Sequence, residues 1–207
     1  MGPCGRDSRR LADAIRRLIE TTVSVAAPPE VLVAAGSAVE RVVEDLRPYV
    51  PPEPPPRYPI DARVSMPDSL ADLFPYDCVL GELNPLAPPV EVVWEAPKAI
   101  GRVCFDRPYE GPPGCVHGAA IASAFDQVFA VVNVMSSRPG PTAKLTIRYR
   151  RPTPLGAELR FEAWHDRTDG RKSYGAGRLL CGDDVTAEAE ALFIVLSDEQ
   201  VMKLGER

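Results

Sequence analysis

The residues best suited to chemistry lie in one stretch, Gly111–Met135, where a turn-rich lead-in runs into a long apolar segment. Its only acid is Asp126, nine residues after His117. A carboxylate in apolar surroundings is costly unless it is paired or used, so Asp126 is a candidate active-site residue. His117 precedes the predicted helix start, where the backbone N–H groups of Gly118 and Ala119 lack intrahelical partners and predict an oxyanion-binding site.

Residues 116–135 are predicted to form that helix. Roughly 18 apolar residues exceed a normal strand of about five or six. The polar residues Asp126, Gln127 and Asn133 would be expensive in lipid, so no integral membrane segment is expected. A helix that is apolar nearly all round is typical of a core, and the sequence therefore predicts a buried helix.

The spacing along this helix predicts a quaternary structure. At about 1.5 Å per residue, Asp126 lies roughly 12 Å along the axis from Gly118, and it points in a different direction from His117. One helix cannot place both groups on one carbonyl. Two antiparallel copies related by a two-fold axis can, with Gly118 of one chain facing Asp126 of the other. We therefore expect a homodimer, alone or paired into a dimer of dimers.

Strands must position these groups, and they are indicated where apolar residues recur at every second position. This spacing predicts six strands, at residues 90–95, 99–106, 142–151, 157–168, 172–181 and 185–196. Short turns separate the last three, which predicts an antiparallel meander. Two strands, one helix and four strands give an α+β domain in which a curled antiparallel sheet covers the helix.

The N-terminal part has a different pattern. Apolar residues at helical spacing predict amphipathic helices at 8–20 and 29–46, which must lie on the main domain or on a partner copy. The proline-rich residues 47–59 predict an extended linker or arm, and 68–74 one helical turn. We accordingly divide the chain into an extension, residues 1–60, and a main domain, residues 61–207.

Composition excludes several functions. A net charge of -5 and a pI near 5.2 speak against a nucleic-acid partner. With two histidines and five scattered cysteines, no metal site, cofactor or disulfide framework is predicted. Reduced thiols and a charged N-terminus without an apolar signal region favour a cytoplasmic protein. The cysteines are Cys4, Cys78, Cys104, Cys115 and Cys181.

Residues 90–197 resemble the hotdog-fold acyl-coenzyme A thioesterases of the PaaI-like and thioesterase-superfamily-member groups. The lead-in E-G-P-P-G is at 110–114, and the pattern H-G-(G/A) followed by Asp appears as His117, Gly118, Ala119 and Asp126. The pattern T-A-x-L-x-I-x-Y-x-R-P-x-P-L begins at Thr142. The resemblance implies a hotdog fold and hydrolysis of an acyl-coenzyme A to free acid and coenzyme A.

The resemblance also implies roles for single residues. Asp126 corresponds to the catalytic carboxylate, as base toward water or as nucleophile, and Gly118 to the backbone oxyanion donor. His117 corresponds to the residue that polarises the thioester carbonyl or holds the loop, and Thr142 to a hydroxyl that orients the water or the carboxylate. Ala119 stands where the family usually has a second glycine, so its methyl group narrows the expected thioester channel.

Substrate-binding residues are implied in two further places. On the strand after the helix, the resemblance places Arg148, Arg150 and Arg151 near the coenzyme A phosphates. In the rigid apolar loop from Leu83 to Val90, Asn84 is a candidate substrate contact, and the apolar residues of the loop are predicted to line an acyl tunnel.

Other interpretations compete with this hypothesis. His117 can be a helix cap only, and the three arginines can be a solvated strand face. A non-catalytic acyl-coenzyme A binding or scaffold dimer would fit Ala119 and the proline-rich arm. A hydratase motif would need a histidine after Asp77 and Asn84, and none follows at the required place. Cys115 as nucleophile lacks a second histidine nearby in sequence.

Overall fold

In the computed structural model, which describes residues 3–53, 74–135 and 140–196, one antiparallel sheet lies against one long apolar helix. This is the predicted α+β arrangement. The elements are α1 (Pro3–Ser24), α2 (Pro29–Leu46), β1 (Glu91–Glu95), β2 (Lys98–Cys104), α3 (Gly118–Met135), β3 (Thr142–Tyr149), β4 (Glu158–Asp169), β5 (Lys172–Cys181) and β6 (Asp184–Ile194).

The sheet has the strand order β1-β2-β4-β5-β6-β3, and every neighbouring pair is antiparallel. The last three strands form the predicted meander. Its two tight turns carry Gly170 at φ +54° and Gly182 at φ +58°, a left-handed conformation that glycine adopts without steric cost. The strand after the helix, β3, returns to the edge of the sheet beside β6.

One face of α3 fills the core between helix and sheet. The Phe125 ring stacks on Phe129 and meets the edge of Phe161 from β4. Glycines in the sheet allow this close approach, because a Cβ at Gly101 would lie 2.8 Å from Val128. The buried residues of α3 are Ile121, Ala124, Phe125, Val128, Phe129, Val131, Val132 and Asn133.

The opposite face of α3 is not covered by the described residues of the chain. Ala119, Ser123 and Val134 are exposed, and Asp126 is half-buried. The prediction of a helix buried nearly all round is therefore wrong for the single chain, because the sheet covers one side only. In the described residues α3 is the one helix long and apolar enough to cross a membrane, and its packing on the sheet accounts for that composition.

The helix α1 extends beyond the predicted residues 8–20 at both ends and docks on the main domain. Ala12 is buried, and the guanidinium of Arg16 fastens an irregular loop that has no regular structure of its own. Arg16 donates hydrogen bonds to the backbone carbonyls of Gly81, Glu82, Asn84 and Ala87. One side chain thus ties the N-terminal helix to four positions of the loop.

The helix α2 has the predicted bounds, yet none of its residues is buried. Arg47–Tyr49 then forms a 3-10 turn, so the predicted extended arm is wrong for these three residues. Pro48 permits the turn because its fixed φ suits the first residues of a helix. The rest of the arm from 54, the predicted turn up to 73 and the boundary at 60/61 lie outside the described residues.

Candidate active site

A tight loop leads the chain into the N-terminus of α3. The Gly111 N–H donates to the Cys115 carbonyl at 2.8 Å, and Gly114 has φ +71°. A Cβ at Gly111 would lie 2.8 Å from the Cα of His117, so any side chain there would push the helix start away. The Val116 N–H donates to Thr153, which fastens the loop to the segment after β3.

His117 caps the helix with its ring. The ring Nδ1 accepts a hydrogen bond from the Ala119 N–H at 3.0 Å. The backbone N–H of His117 donates to the Tyr109 carbonyl at 2.8 Å. An accepting Nδ1 places the proton of the neutral ring on Nε2. The capping interpretation is therefore observed. The Ala119 N–H has no partner within the helix, as predicted, but the His117 ring before the helix accepts its hydrogen bond.

The Gly118 N–H is different, since no group in the described part of the chain accepts a hydrogen bond from it. It is the first N–H of α3, at the positive end of the helix dipole. The Tyr149 hydroxyl donates to the Gly118 carbonyl at 2.8 Å. Gly118 thus keeps one free donor while its carbonyl is held by β3.

Tyr149 was not among the predicted site residues. Leu145 and Ile147 pack against the core, and strict alternation along β3 places Tyr149 on the same face. That periodicity is the sequence signal that would have found it. Burial raises the pKa of the Tyr149 hydroxyl, which keeps it protonated as a donor.

The carboxylate of Asp126 is held by a different strand residue. The Thr142 hydroxyl donates to Asp126 Oδ1 at 2.9 Å, which brings together two predicted site residues. Side chains alternate between the two faces of a regular strand, so Thr142, three residues before the core-facing Leu145, would point away from α3. A register shift between Thr142 and Lys144 adds one residue, and such a bulge re-aims the side chain toward α3.

The two groups remain apart on one helix. Gly118 and Asp126 are eight residues apart along α3, which corresponds to about 12 Å of rise. Thr142 is the one side chain in the described ranges that hydrogen-bonds Asp126. Each chain therefore carries a carboxylate with one partner and, elsewhere, a free backbone donor.

A loop segment packs beside the carboxylate. Asp77 is buried, and its carboxylate accepts hydrogen bonds from the backbone N–H groups of Val79 and Leu80. It also accepts one from Gln127 Nε2 at 3.2 Å. Asp77 thus acts as a structural cap, which leaves the hydratase motif without its acid. Burial, then the charges of Asp77 and Asp126, raise the pKa of the Cys78 thiol, so this thiol stays protonated.

Asn84 lies in the loop that Arg16 clamps. Its Oδ1 accepts the Leu86 N–H and its Nδ2 donates to the Tyr76 carbonyl, so the amide supports the loop itself. The loop and α1 together border a cleft of about 440 Å³. Tyr109 lines this cleft, and its hydroxyl donates to the Leu86 carbonyl. Burial raises the pKa of Tyr109 to about 12.

The three candidate arginines are not gathered at Asp126. Arg150 pairs with Glu188 at 2.5 Å and Arg151 with Asp184 at 2.5 Å. Arg148 is exposed and alternates with the core-facing Ile147, so it lies on the sheet face away from α3. For Arg150 and Arg151 the observed contacts are those of a solvated, ion-paired strand end.

The remaining alternatives find little support in the described residues. The Cys115 thiol contacts the Pro113 carbonyl at 3.6 Å, while His165 contacts Thr168 and Ser173 near another turn. A cysteine and histidine pair is thus not assembled here. The described residues also contain no group of three or more metal-ligating side chains.

Comparisons with known proteins agree on one family. Residues 113–188 match the model of the thioesterase superfamily. Acyl-coenzyme A thioesterase THEM4 of Xenopus laevis is 35% identical over 99 residues, 45% of this chain and 45% of that protein. The protein of the same name from Mus musculus is 36% identical over 93 residues, 44% of this chain and 40% of that protein. This chain therefore spans less than half the length of these curated relatives.

A solved structure extends the similarity beyond that domain. The crystal structure of a thioesterase superfamily protein matches with a TM-score of 0.79 and 29% sequence identity. The match covers 90% of this chain and 94% of that chain. It therefore includes most of this chain, and not only the part that resembles the curated relatives.

Proposed function

This chain contains a hotdog-fold domain of the thioesterase superfamily, and from that premise we propose that it hydrolyses an acyl-coenzyme A to a carboxylic acid and coenzyme A. The observation that carries the proposal is the hydrogen bond from Thr142 to Asp126 on the uncovered face of α3. It leaves Oδ2 of the carboxylate available to a water molecule, in a position that a substrate can reach.

In the proposed reaction, Asp126 acts as general base. The carboxylate takes a proton from water as the water oxygen attacks the thioester carbonyl carbon, and Thr142 holds the carboxylate in orientation. The carbonyl oxygen becomes an oxyanion. When the tetrahedral intermediate collapses, the carbon–sulfur bond breaks and the thiolate of coenzyme A leaves. The thiolate takes the proton that Asp126 received from the water, which restores the carboxylate.

The Gly118 N–H is the proposed oxyanion donor. A backbone donor at a helix N-terminus is fixed before the reaction, so it stabilises the developing charge without reorganisation. The absence of a side chain lets the carbonyl oxygen approach. His117 contributes by capping the same turn through Ala119, which keeps the Gly118 N–H pointing out of the helix.

We propose that a homodimer completes each site. Asp126 and Gly118 of one α3 cannot reach one carbonyl, whereas an antiparallel partner α3 brings the Gly118 of one copy to the Asp126 of the other. An edge strand supports this arrangement. β3 pairs only with β6 in the described sheet, and its eight residues offer backbone groups to a second copy.

A thiol-release assay across acyl-coenzyme A chain lengths tests the activity. We expect turnover of at least one chain length by the purified protein. Release of coenzyme A in water enriched in oxygen-18, under single-turnover conditions, tests the role of Asp126. Label in the product acid alone agrees with a base, whereas label in the protein carboxylate would show a nucleophile. Tight binding without turnover of any substrate would instead favour the scaffold dimer.

A complementation experiment tests the shared site. Asp126→Ala and Gly118→Val each damage every site of a homodimer. In a mixed dimer, one site contains both substitutions and the other contains neither, so activity returns. Unrecovered activity in purified mixed dimers would place both groups in one chain and overturn the shared site. Each variant taken alone through the same mixing and purification steps is the matched control, and it should stay inactive.

A further inference from the structure

The helix α2 carries an apolar stripe that nothing in the described chain covers. Its members recur at alternating intervals of three and four residues, the spacing of a helix that packs along another helix. The four largest are between 40% and 50% exposed, and no residue of α2 is buried. The stripe consists of Leu32, Ala35, Val39, Val42 and Leu46.

A helix of this composition is not expected to remain bare. An isolated helix of 18 residues is only marginally stable in water, and most helical stability comes from packing of the apolar face. A contiguous exposed apolar patch usually marks an interaction site. The stripe therefore needs an occupant, and its dimensions suit another helix.

The outer side of α1 carries a second stripe. Ala12 and Arg16 face the domain, whereas Leu11 and Leu18, seven residues apart, are each 41% exposed on the neighbouring side. Val25 is 46% exposed and follows at the same interval, one residue after the end of the helix. Both stripes are exposed in the same chain, so α1 and α2 of one copy do not cover each other. One molecule thus presents two apolar helix faces of similar length.

The charges on the two helices are opposite. The helix α1 contains five arginines and three acids, whereas α2 contains four acids and one arginine. On α1, Arg10 and Arg17 are exposed and form no ion pair within the described ranges. On α2, Glu40 and Asp45 lie on the two sides of the stripe, roughly 100° to 120° around the helix from its centre, and both are exposed. Pairing α1 with α2 is thus favourable, while pairing α2 with α2 places acids together.

We propose that α2 of one copy packs on the outer stripe of α1 of a second copy, and the reverse. A two-fold axis makes this contact occur twice, so that both stripes of both copies are covered in one closed arrangement. The occupant is a second copy of this chain because the complementary surface is present on the same molecule. This inference does not rest on the proposed thioesterase activity.

Charge reversal with complementation tests this pairing, read out by hydrogen exchange of the amides in residues 29–46. One variant carries Glu40→Lys and Asp45→Lys, and the other carries Arg10→Glu and Arg17→Glu. Each variant alone faces like charges across the interface, so we expect exchange in α2 to become about tenfold faster than in the unmodified protein. In the equimolar mixture opposite charges face each other, and protection returns.

The readout is local to α2, so it is independent of any other contact that holds two copies together. A protein with Asp169→Lys and Asp183→Lys, in two hairpin turns away from the helices, controls for the change in net charge and should keep α2 protected. Val39→Asp should abolish protection by breaking the stripe itself.

Three results would overturn the proposal. Rapid exchange of α2 in the unmodified protein at high concentration would show that the helix is bare. Normal protection in the arginine variant alone would exclude α1 as the partner surface. Failure of the mixture to regain protection would show that the charges do not meet across two copies.

Discussion

The two parts of the candidate site on α3 are held in opposite ways. At the helix N-terminus, Gly118 is surrounded by contacts from its own chain, including the His117 cap and the Tyr149 hydroxyl on its carbonyl. Farther along the helix, Asp126 is half-buried and has one side-chain partner, Thr142. That partner lies at the start of the edge strand β3.

The difference shows how a backbone donor and a side-chain base are positioned. The Gly118 N–H cannot rotate away from the helix, so the loop and the helix start determine its direction. The Asp126 carboxylate can rotate, so a hydrogen bond from another element must orient it. We therefore expect substitutions at Gly118 to act through steric blockage, and substitutions at Asp126 and Thr142 to act through chemistry and orientation.

The largest expected effect comes from removing the base. Asp126→Asn preserves the size of the side chain but cannot take a proton, so kcat for acyl-coenzyme A hydrolysis should fall by about 10² to 10⁴. KM and the unfolding midpoint should change little, because the side chain is half-buried. Ser123→Ala, on the same uncovered face of α3, is the matched control and should retain activity. A kcat near that of the unmodified enzyme would remove Asp126 from the mechanism.

The second-largest effect is expected at Gly118, whose backbone N–H is fixed at the start of α3. Gly118→Val places a branched side chain against Tyr149, whose hydroxyl oxygen would lie 3.0 Å from the new Cβ, and so displaces the N–H donor. Loss of an oxyanion donor usually costs about 10² to 10³ in kcat. Ala122→Val, one turn later on α3, adds similar bulk away from the donor and controls for helix propensity. If both variants keep normal turnover and the same urea midpoint, the oxyanion donor lies elsewhere.

Orientation of the carboxylate should matter less than its presence. Thr142→Val removes the hydroxyl at nearly constant size, and a hydrogen bond to a charged acceptor contributes about 1.5 kcal/mol or more. We expect kcat to fall about tenfold. Thr142→Ser keeps the hydroxyl and should retain most of the rate. Equal rates for the valine and serine variants would show that Thr142 does not orient Asp126.

The same comparison explains what the sequence can predict. The strand at 172–181 and the helix at 29–46 have the predicted bounds, because their periodicity extends to their ends. The structure adds a hydrogen bond between two of the predicted site residues, Thr142 and Asp126, while the roles of His117 and Gly118 stay predictions. The agreement in element bounds depends on local pattern.

The failures depend on tertiary contacts. The cap on the Ala119 N–H follows from the rotamer of His117, which spacing does not determine. The orientation of Thr142 follows from a bulge, which reverses the face that alternation predicts. The bare face of α3 was predicted to be buried, since composition cannot show whether a second layer comes from the same chain or from another copy.

The smallest expected effect connects the two parts of the site through β3. Tyr149→Phe removes the hydrogen bond to the Gly118 carbonyl, and a net contribution of about 0.5 to 1.5 kcal/mol predicts a fall in kcat of about two- to tenfold. In the Gly118→Ala variant, the same substitution should raise kcat instead of lowering it. A Cβ at Gly118 would lie 3.0 Å from the Tyr149 hydroxyl oxygen, so Gly118→Ala crowds that group. Removing the hydroxyl relieves the crowding, and the double variant should be faster than Gly118→Ala alone. If Tyr149→Phe slows both backgrounds equally, the tyrosine does not contact Gly118 during catalysis.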